Sequence, residues 1–409
     1  MDDTRSGETT VGFEPASTAL QAGPVAAAMR PAVGAVRGCG AAIILMYVGD
    51  ADEAAHARRD ALLEEAFLAE EPWDRRRALS ILARDWLADP DVRELLRECA
   101  LGDPDGDVRD AMLETIAHRG RAEPETVEWL FALATGADER RLRRTALVQL
   151  AQLRPADPRV RPLVRVRAVD DPEGYVRRQA VAAYASGWRD EPGTVSWLLE
   201  RGVADPDHNV RRQVVNSLAR LWPGHPRAGA HVRGRVREDG HSAVRHEAAY
   251  WLAHGWPDAP GTEAVLRRCA VADPADKVRR CAIDVLAGSA SHSPPYEYRP
   301  GLWRDRPGVV ALVRERALDD PSPLVRRACL ETLAAGWTAD PQVRSMLRER
   351  AVADPDCAVR IGVWEALVRR WPADPSTVDL LRERAAAEPT DLGRRNALRV
   401  LAEASGCAE

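Results

Sequence analysis

Arginine is the residue type whose repetition most clearly points to chemistry in this chain. Its guanidinium group binds carboxylates and phosphates through paired hydrogen bonds. One register recurs every 34 residues, with a single step of 47, and comprises Arg75, Arg109, Arg143, Arg177, Arg211, Arg245, Arg279, Arg326, Arg360 and Arg394. Six residues before most of these arginines stands an acid: Asp103, Asp171, Asp205, Asp239, Asp273, Asp320, Asp354 and Glu388. The constant spacing predicts a repeated contact between the two groups.

A second arginine row directly follows the first. It contains Arg76, Arg144, Arg178, Arg212, Arg280, Arg327 and Arg395, with His246 in the same place. An exposed row of this kind could bind a phosphate backbone or an acidic protein. The alternative is neutralisation by acids on neighbouring helices, which the small net charge of -5 favours. The candidate partner-binding residues in this row are Arg144, Arg178, Arg212, His246, Arg280 and Arg327.

Histidines concentrate in one region, with six of nine between residues 208 and 254. Their spacing follows no HxxxH or HExxH pattern, so no metal site is predicted. Gly229 and Gly234 fall in a helix of this region, and an interior glycine costs ~1 kcal/mol against alanine. A locally soft, hinge-like repeat is the alternative interpretation.

Other catalytic patterns are absent from the sequence. It contains no G-x-x-x-x-G-K-[ST] loop, which excludes P-loop chemistry within the chain, and no G-x-S-x-G elbow or dinucleotide fingerprint. The seven cysteines are scattered without a CxxC pair, as free thiols in a reducing cytoplasm would be. We therefore predict no catalytic residues, no cofactor and a cytoplasmic protein.

Pairs of helices must position these side chains. In residues 340–371, Asp340 and Asp356 are placed to cap two helices, and apolar residues recur between them at helical spacing. Self-similar units of this length bury their apolar sides only by stacking on neighbours. The predicted fold is all-α, a right-handed α-α superhelix (α-solenoid) of about ten 34-residue helix-pair repeats.

The turn acid, followed by valine five residues later and arginine six residues later, resembles the compact HEAT repeat over about residues 55–405. A 34-residue period also suits tetratricopeptide repeats, but their W-x2-L-G-x2-Y pattern is missing. The resemblance is to bacterial HEAT-like (PBS-lyase-type) repeats. It implies a ladder between adjacent repeats, formed by Asp171, Asp205, Asp239, Asp273, Asp320 and Asp354 with Arg177, Arg211, Arg245, Arg279, Arg326 and Arg360.

The resemblance also implies a function. We expect a non-catalytic scaffold that binds a protein on the concave face of the solenoid. Nucleic-acid binding through the second arginine row is one alternative. An enzyme-associated HEAT protein is the other, similar to a bilin lyase, an alkylpurine glycosylase or a deoxyhypusine hydroxylase. His246-Glu247 looks like the His-Glu motif of the hydroxylases, but other repeats have Arg-Gln, Arg-Cys or Arg-Ala instead.

The ends and one insertion depart from the repeat. We expect residues 1–50 to be disordered or poorly packed, and 51–409 to form the solenoid with an inserted loop at about 289–305. Within that loop, Tyr296 and Tyr298 are candidate partner contacts because tyrosine is favoured at interfaces, whereas Trp303 keeps a packing register. The apolar run at 41–48 is too short to span a bilayer, which needs ~20 residues, so no membrane partner is predicted.

Overall fold

Twenty α-helices, arranged as ten consecutive pairs, make up most of the described chain. The computed structural model describes residues 51–290, 298–372 and 374–406, so residues 1–50 lie outside it. The first five pairs are α1 (Ala51–Leu68) with α2 (Pro72–Asp85), α3 (Pro90–Gly102) with α4 (Gly106–Arg119), α5 (Pro124–Gly136) with α6 (Arg140–Leu153), α7 (Val160–Asp170) with α8 (Gly174–Gly187), and α9 (Thr194–Ala204) with α10 (His208–Leu221).

The remaining helices continue the same alternation. They are α11 (Pro226–Glu238) with α12 (Ser242–Gly255), α13 (Thr262–Ala272) with α14 (Asp276–Ala287), α15 (Val309–Asp319) with α16 (Pro323–Gly336), α17 (Pro341–Ala353) with α18 (Cys357–Arg370), and α19 (Pro375–Ala387) with α20 (Asp391–Gly406). We call the first helix of each pair the A helix and the second the B helix. Ten pairs confirm the predicted all-α repeat fold.

Short-range sequence signals set the helix boundaries. The Asp340 side chain accepts a hydrogen bond from the Gln342 backbone N–H at the start of α17, and Asp356 does the same for Ala358 at the start of α18. These bonds satisfy N–H groups that lack a partner inside the helix. Pro341 occupies the first turn of α17, where its missing N–H costs nothing.

The core lies between paired helices and between successive B helices. Two compact units divide the chain, one ending at Thr126 and the other beginning at Val127. Within the second unit, successive B helices from α6 to α20 pack on one another. Trp364 and Tyr184 are the largest fully buried side chains. Among the described helices, none combines the length and the apolarity that crossing a bilayer requires.

The insertion between α14 and α15 begins and ends on a short antiparallel pair, where the sequence predicted a loop. Strands β1 (Gly288–Ala290) and β2 (Tyr298–Pro300) pair through their backbones. Gly288 has a φ of 109°, which favours glycine, and ends α14. A Cβ on Gly301 would lie 2.5 Å from the Leu286 carbonyl oxygen, so only glycine fits this approach. Tyr296 lies outside the described residues, and of Tyr298 only the backbone pairing is described.

Buried tryptophans follow the B helices; Trp188 and Trp256 are the C-cap residues of α8 and α12. Trp188, Trp256 and Trp303 are 5–6% exposed. The Trp256 indole N–H donates to the His225 carbonyl in the A helix of its own repeat, at 3.2 Å. Because these rings are buried, they serve packing and are not available to bind a partner.

Candidate functional site

The first arginine register joins neighbouring repeats. Arg177 of α8 donates from Nε and Nη2 to both carboxylate oxygens of Asp205, each at 3.1 Å. Its Nη1 donates to the Asp171 carbonyl at 2.9 Å, and Asp205 also accepts the Asp207 backbone N–H at 2.9 Å. One guanidinium thus binds the turn before its own helix and the turn of the next repeat. This geometry satisfies a buried charge pair almost completely.

The same arrangement recurs along the described chain. The further pairs are Arg75–Asp103, Arg143–Asp171, Arg211–Asp239, Arg245–Asp273, Arg279–Asp320, Arg326–Asp354 and Arg360–Glu388. The pair Arg279–Asp320 spans the insertion and keeps its distances of 2.8 and 2.7 Å. We call this set the Arg–Asp ladder, and its role in the molecule is structural.

The Asp205 carboxylate of the ladder stays ionised despite burial. Burial by itself would raise the pKa of Asp205, but hydrogen bonds from Arg177, the Asp207 N–H and Arg201 outweigh it and lower that pKa. A group with a lowered pKa stabilises the fold above its ordinary value and loses that contribution as the pH falls. The Arg177–Asp205 pair therefore holds at neutral pH.

The second arginine row lies on the surface of the B helices and divides into two parts. In the first part, a carboxylate four residues later binds the arginine. Arg280 Nε lies 3.6 Å from Asp284 Oδ2, and Arg327 Nε donates to Glu331 Oε1 at 2.7 Å. Glu365 of the next B helix adds a contact at 3.8 Å with Arg327. The predicted neutralisation is thus observed on α14 and α16.

On α8 and α10 the same positions lack that carboxylate. Ala182 stands four residues after Arg178, and Asn216 four residues after Arg212. Both arginines are half-buried, and neither makes an ion pair with any residue the structure describes. The Arg178 Nε has no hydrogen-bond acceptor within the described ranges. Both guanidinium groups are therefore open to an external anion.

An aromatic ring contacts two arginines of this surface. Tyr175 lies between two guanidinium groups, with its ring centroid 5.4 Å from the Arg178 Cζ and 5.8 Å from the Arg144 Cζ. We call the surface formed by Arg144, Tyr175, Arg178 and Arg212 the basic face. The B-helix segments that follow the ladder arginines here, 144–154, 178–188 and 212–222, contain no Asp or Glu.

A shallow groove of about 410 Å³ runs beside the basic face between α6 and α8. Its floor is made of small and apolar side chains, among them Val148, Ala151, Ala182 and Ala183. Gln152 and Gln179 supply amide groups at its edges. The groove can accept a side chain of moderate size next to the arginines.

His246 occupies the second-row position on α12, but its imidazole differs from the guanidinium groups of the basic face. Partial burial of its ring, together with nearby Lys277 and Arg212, lowers its pKa against the opposing effect of Glu247. Glu247 accepts hydrogen bonds from Trp251 Nε1 at 2.8 Å and from Asn216 at 3.3 Å. The His-Glu pair is thus tied into local packing.

The other histidines do not converge. His208 and His241 stack with ring centroids 3.6 Å apart, whereas His231 is packed against Gly202. No three His, Cys, Asp or Glu side chains within the described part of the chain are grouped to hold a metal ion. A Cβ on Gly229 would lie 2.8 Å from the Trp256 ring, so this glycine permits close packing. That contact gives a packing reason for one of the two glycines behind the hinge interpretation.

The sequence profile described as HEAT repeats matches residues 59–151, 99–185, 162–253 and 310–402, together more than half of the chain. The chain belongs to the HEAT-repeat family. No curated protein matches its sequence.

Solved structures similar to this HEAT-repeat protein share little sequence with it. The YibA protein of E. coli is 15% identical, with a TM-score of 0.40, and the match covers 81% of this chain and 97% of that one. Kap121p bound to Nup53p is 13% identical, with a TM-score of 0.45, covering 85% and 41% respectively. Human deoxyhypusine hydroxylase is 17% identical, with a TM-score of 0.28, covering 77% and 96%. This chain therefore spans less than half of Kap121p.

Sequence reasoning located the arginine row of this HEAT-repeat protein but missed its division into two parts. The missing signal was the residue four positions after each arginine. It is Ala182 or Asn216 on the open helices and Asp284 or Glu331 on the paired ones. Residues four apart face each other on a helix, so this comparison was available from the sequence.

Proposed function

We propose that this HEAT-repeat protein is a non-catalytic scaffold that binds another protein through the B-helix surface of α6, α8 and α10. The observation that carries the proposal is the pair of guanidinium groups, Arg178 and Arg212, that lack the carboxylate bound by Arg280 and Arg327. Arginine and tyrosine are favoured in the energetically dominant parts of protein interfaces. Tyr175 and the adjacent groove add the apolar contact area that such an interface uses.

The arrangement supports binding better than catalysis. On the described B-helix surface Asp284 and Glu331 are bound to arginines, and no three His, Cys, Asp or Glu side chains of the described residues are grouped to hold a metal ion. The buried thiols Cys269 and Cys281 have pKa values raised by burial to about 11 and about 12, which keeps them protonated and poorly nucleophilic.

Nucleic-acid binding is the second candidate, because the same arginines could contact phosphates. A duplex follows a long cationic track and loses affinity steeply with salt. In this chain the row is occupied by carboxylates on α14 and α16. The open part of the row is therefore short, which favours a protein segment.

Photo-crosslinking in cells of the native host tests the proposal. A benzophenone amino acid replaces Gln179 or Gln213 on the B-helix surface, or Glu200 on the exposed side of the A helix α9 as the matched control. We expect discrete protein adducts from the first two positions and none from the third. Adducts sensitive to nuclease, or equal adducts from all three positions, would contradict the proposal.

A further inference from the structure

Two arginines of the second row bind a carboxylate within the protein. Where a carboxylate is available four residues later, the arginine binds it, as Arg280 binds Asp284 and Arg327 binds Glu331. The repeats are equivalent, so Arg178 and Arg212 present the same donors in the same setting. At these two positions the place of the carboxylate is taken by the methyl group of Ala182 and the amide of Asn216. A carboxylate from another molecule would restore the missing contact.

In Arg178, the Nε is a hydrogen-bond donor without an acceptor among the described residues. It is shielded from solvent, whereas Arg327 Nε donates to Glu331 Oε1 at 2.7 Å. Hydrogen bonds from a charged donor to a charged acceptor are about twice as strong as neutral ones. Because this Nε is covered, an incoming carboxylate near Ala182 pairs with the Arg178 guanidinium through its terminal nitrogens and supplies the charged contact that the protein alone leaves unmade.

The spacing of the helices fixes the spacing of the ligand groups. Arg178 and Arg212 lie on adjacent packed helices, α8 and α10, and packed helices have axes ~8–10 Å apart. An extended peptide in the polyproline II conformation advances ~3.1 Å per residue with three residues per turn, so every third side chain lies on the same face, about 9 Å apart. A peptide crossing the B helices would thus present one acid to each arginine when every third residue is acidic.

The surroundings favour a peptide rather than a lone anion. The groove between α6 and α8 has a floor of Val148, Ala151, Ala182 and Ala183 next to Arg178. It provides contact for an apolar side chain between two acids. The segments 178–188 and 212–222 contain no Asp or Glu, and Glu247 of α12, which accepts a hydrogen bond from Asn216, lies at their edge.

We propose that the basic face binds an extended acidic segment of a partner protein, with a carboxylate at every third residue. This inference rests on the proposed scaffold function and adds the chemistry of the partner. It assigns the acids to Arg178 and Arg212, with Tyr175 holding the guanidinium of Arg178 in place.

Titration of the full chain with a synthetic peptide tests the inference. The probe contains glutamates at every third position, separated by alanine and glutamine, and the control peptide has the same composition with the glutamates contiguous. We expect the spaced peptide to bind at least several-fold more tightly, by calorimetry at about 50 mM salt. Equal affinity for the two peptides, or binding of neither, overturns the inference.

Two substitutions build the missing carboxylate into the protein. Asn216→Asp and Ala182→Glu reproduce the arrangement of Arg280–Asp284 and Arg327–Glu331, so each should weaken the spaced peptide about tenfold through competition. The matched control Asn396→Asp on α20 should leave its affinity within about twofold of the wild type, and Ala182→Gln, which fills the same space without the charge, should weaken the peptide clearly less than Ala182→Glu does. An unchanged affinity in Asn216→Asp, with thermal unfolding like that of the wild type, overturns the assignment.

A third arm separates peptide from phosphate. A 20-base-pair DNA duplex is titrated under the same conditions, and we expect weaker binding than for the spaced peptide. Tighter duplex binding that Ala182→Glu abolishes overturns the inference in favour of nucleic acid. If crosslinked protein forms at Gln179 while the spaced peptide fails to bind, the scaffold proposal stands and only the partner chemistry falls.

Discussion

Arg177 and Arg178 are sequence neighbours with different uses, because successive side chains on a helix point about 100° apart. Arg177 turns toward the next repeat and binds Asp205, with its side chain almost fully buried. Arg178 turns to the B-helix surface, where the ring of Tyr175 contacts its guanidinium. The first arginine stabilises the fold, and the second is available for recognition.

Substitution should separate these two uses. Asp205→Asn leaves Arg177 buried without its charge partner, and breaking a buried pair costs about 3 kcal/mol. Arg178→Gln removes a surface charge and should change the free energy of unfolding by about 0.5 kcal/mol or less. Urea unfolding followed by circular dichroism measures both. Equal costs for the two variants would show that the Arg–Asp ladder is not what joins the repeats.

His231 should make stability depend on pH. Burial, aided by Arg235 and opposed by Asp239, lowers its pKa to about 4 from an ordinary value of 6.5. The unfolded chain therefore binds a proton that the folded chain does not, and stability falls as the pH drops from about 6.5 to about 4. The expected loss is on the order of 2 kcal/mol, measured by urea unfolding at pH 7.5 and pH 4.5.

A matched variant isolates this histidine. Burial raises the pKa of Asp284 to about 6, with Glu331 adding to the rise and Arg280 opposing it. Its contribution has the opposite sign, since a raised carboxyl pKa favours the folded state as the pH falls. Asp284 is present in both wild type and His231→Gln, so their difference reports His231 alone. An identical pH dependence in the two proteins would exclude the histidine as the cause.

At the scale of the elements, two glycines of α11 should respond oppositely to alanine. A Cβ on Gly229 would lie 2.8 Å from the Trp256 ring, whereas the nearest atom to a Cβ on Gly234 is Glu238 Oε2 at 3.9 Å. Alanine is favoured over glycine in an open helix by ~1 kcal/mol. Gly234→Ala should raise the melting temperature and Gly229→Ala should lower it. A rise for both would mean that Gly229 does not serve the packing of Trp256.

The helices were predictable from the sequence because their signals are local. Asp340 and Asp356 cap α17 and α18 where the spacing placed them, and the ten pairs follow the 34-residue register. The antiparallel pair at the insertion was missed, since strand pairing depends on contacts between segments. The hydrogen bond from Thr332 Oγ1 to the Gly288 carbonyl, at 3.2 Å, is one such contact.

At the scale of the whole molecule, the small net charge of -5 conceals an uneven distribution. The B helices α6, α8 and α10 lack acids after the ladder arginine, whereas α14 and α16 provide Asp284 and Glu331. Composition averages over these differences, which is why it favoured uniform neutralisation. The candidate site could be placed on the row from sequence, and the residue four positions later already separates Arg178 and Arg212 from Arg280 and Arg327. Whether a carboxylate from another helix binds them could be read only from the structure.

A charge exchange on the full chain tests the central claim most directly. In the double variant Arg178→Glu and Arg212→Glu, the account predicts loss of the peptide with spaced glutamates and new binding of a peptide with lysines at the same positions. Calorimetry of both peptides against wild type and variant, with helix content checked by circular dichroism, measures the exchange. Retention of the glutamate peptide by a folded variant would contradict the account.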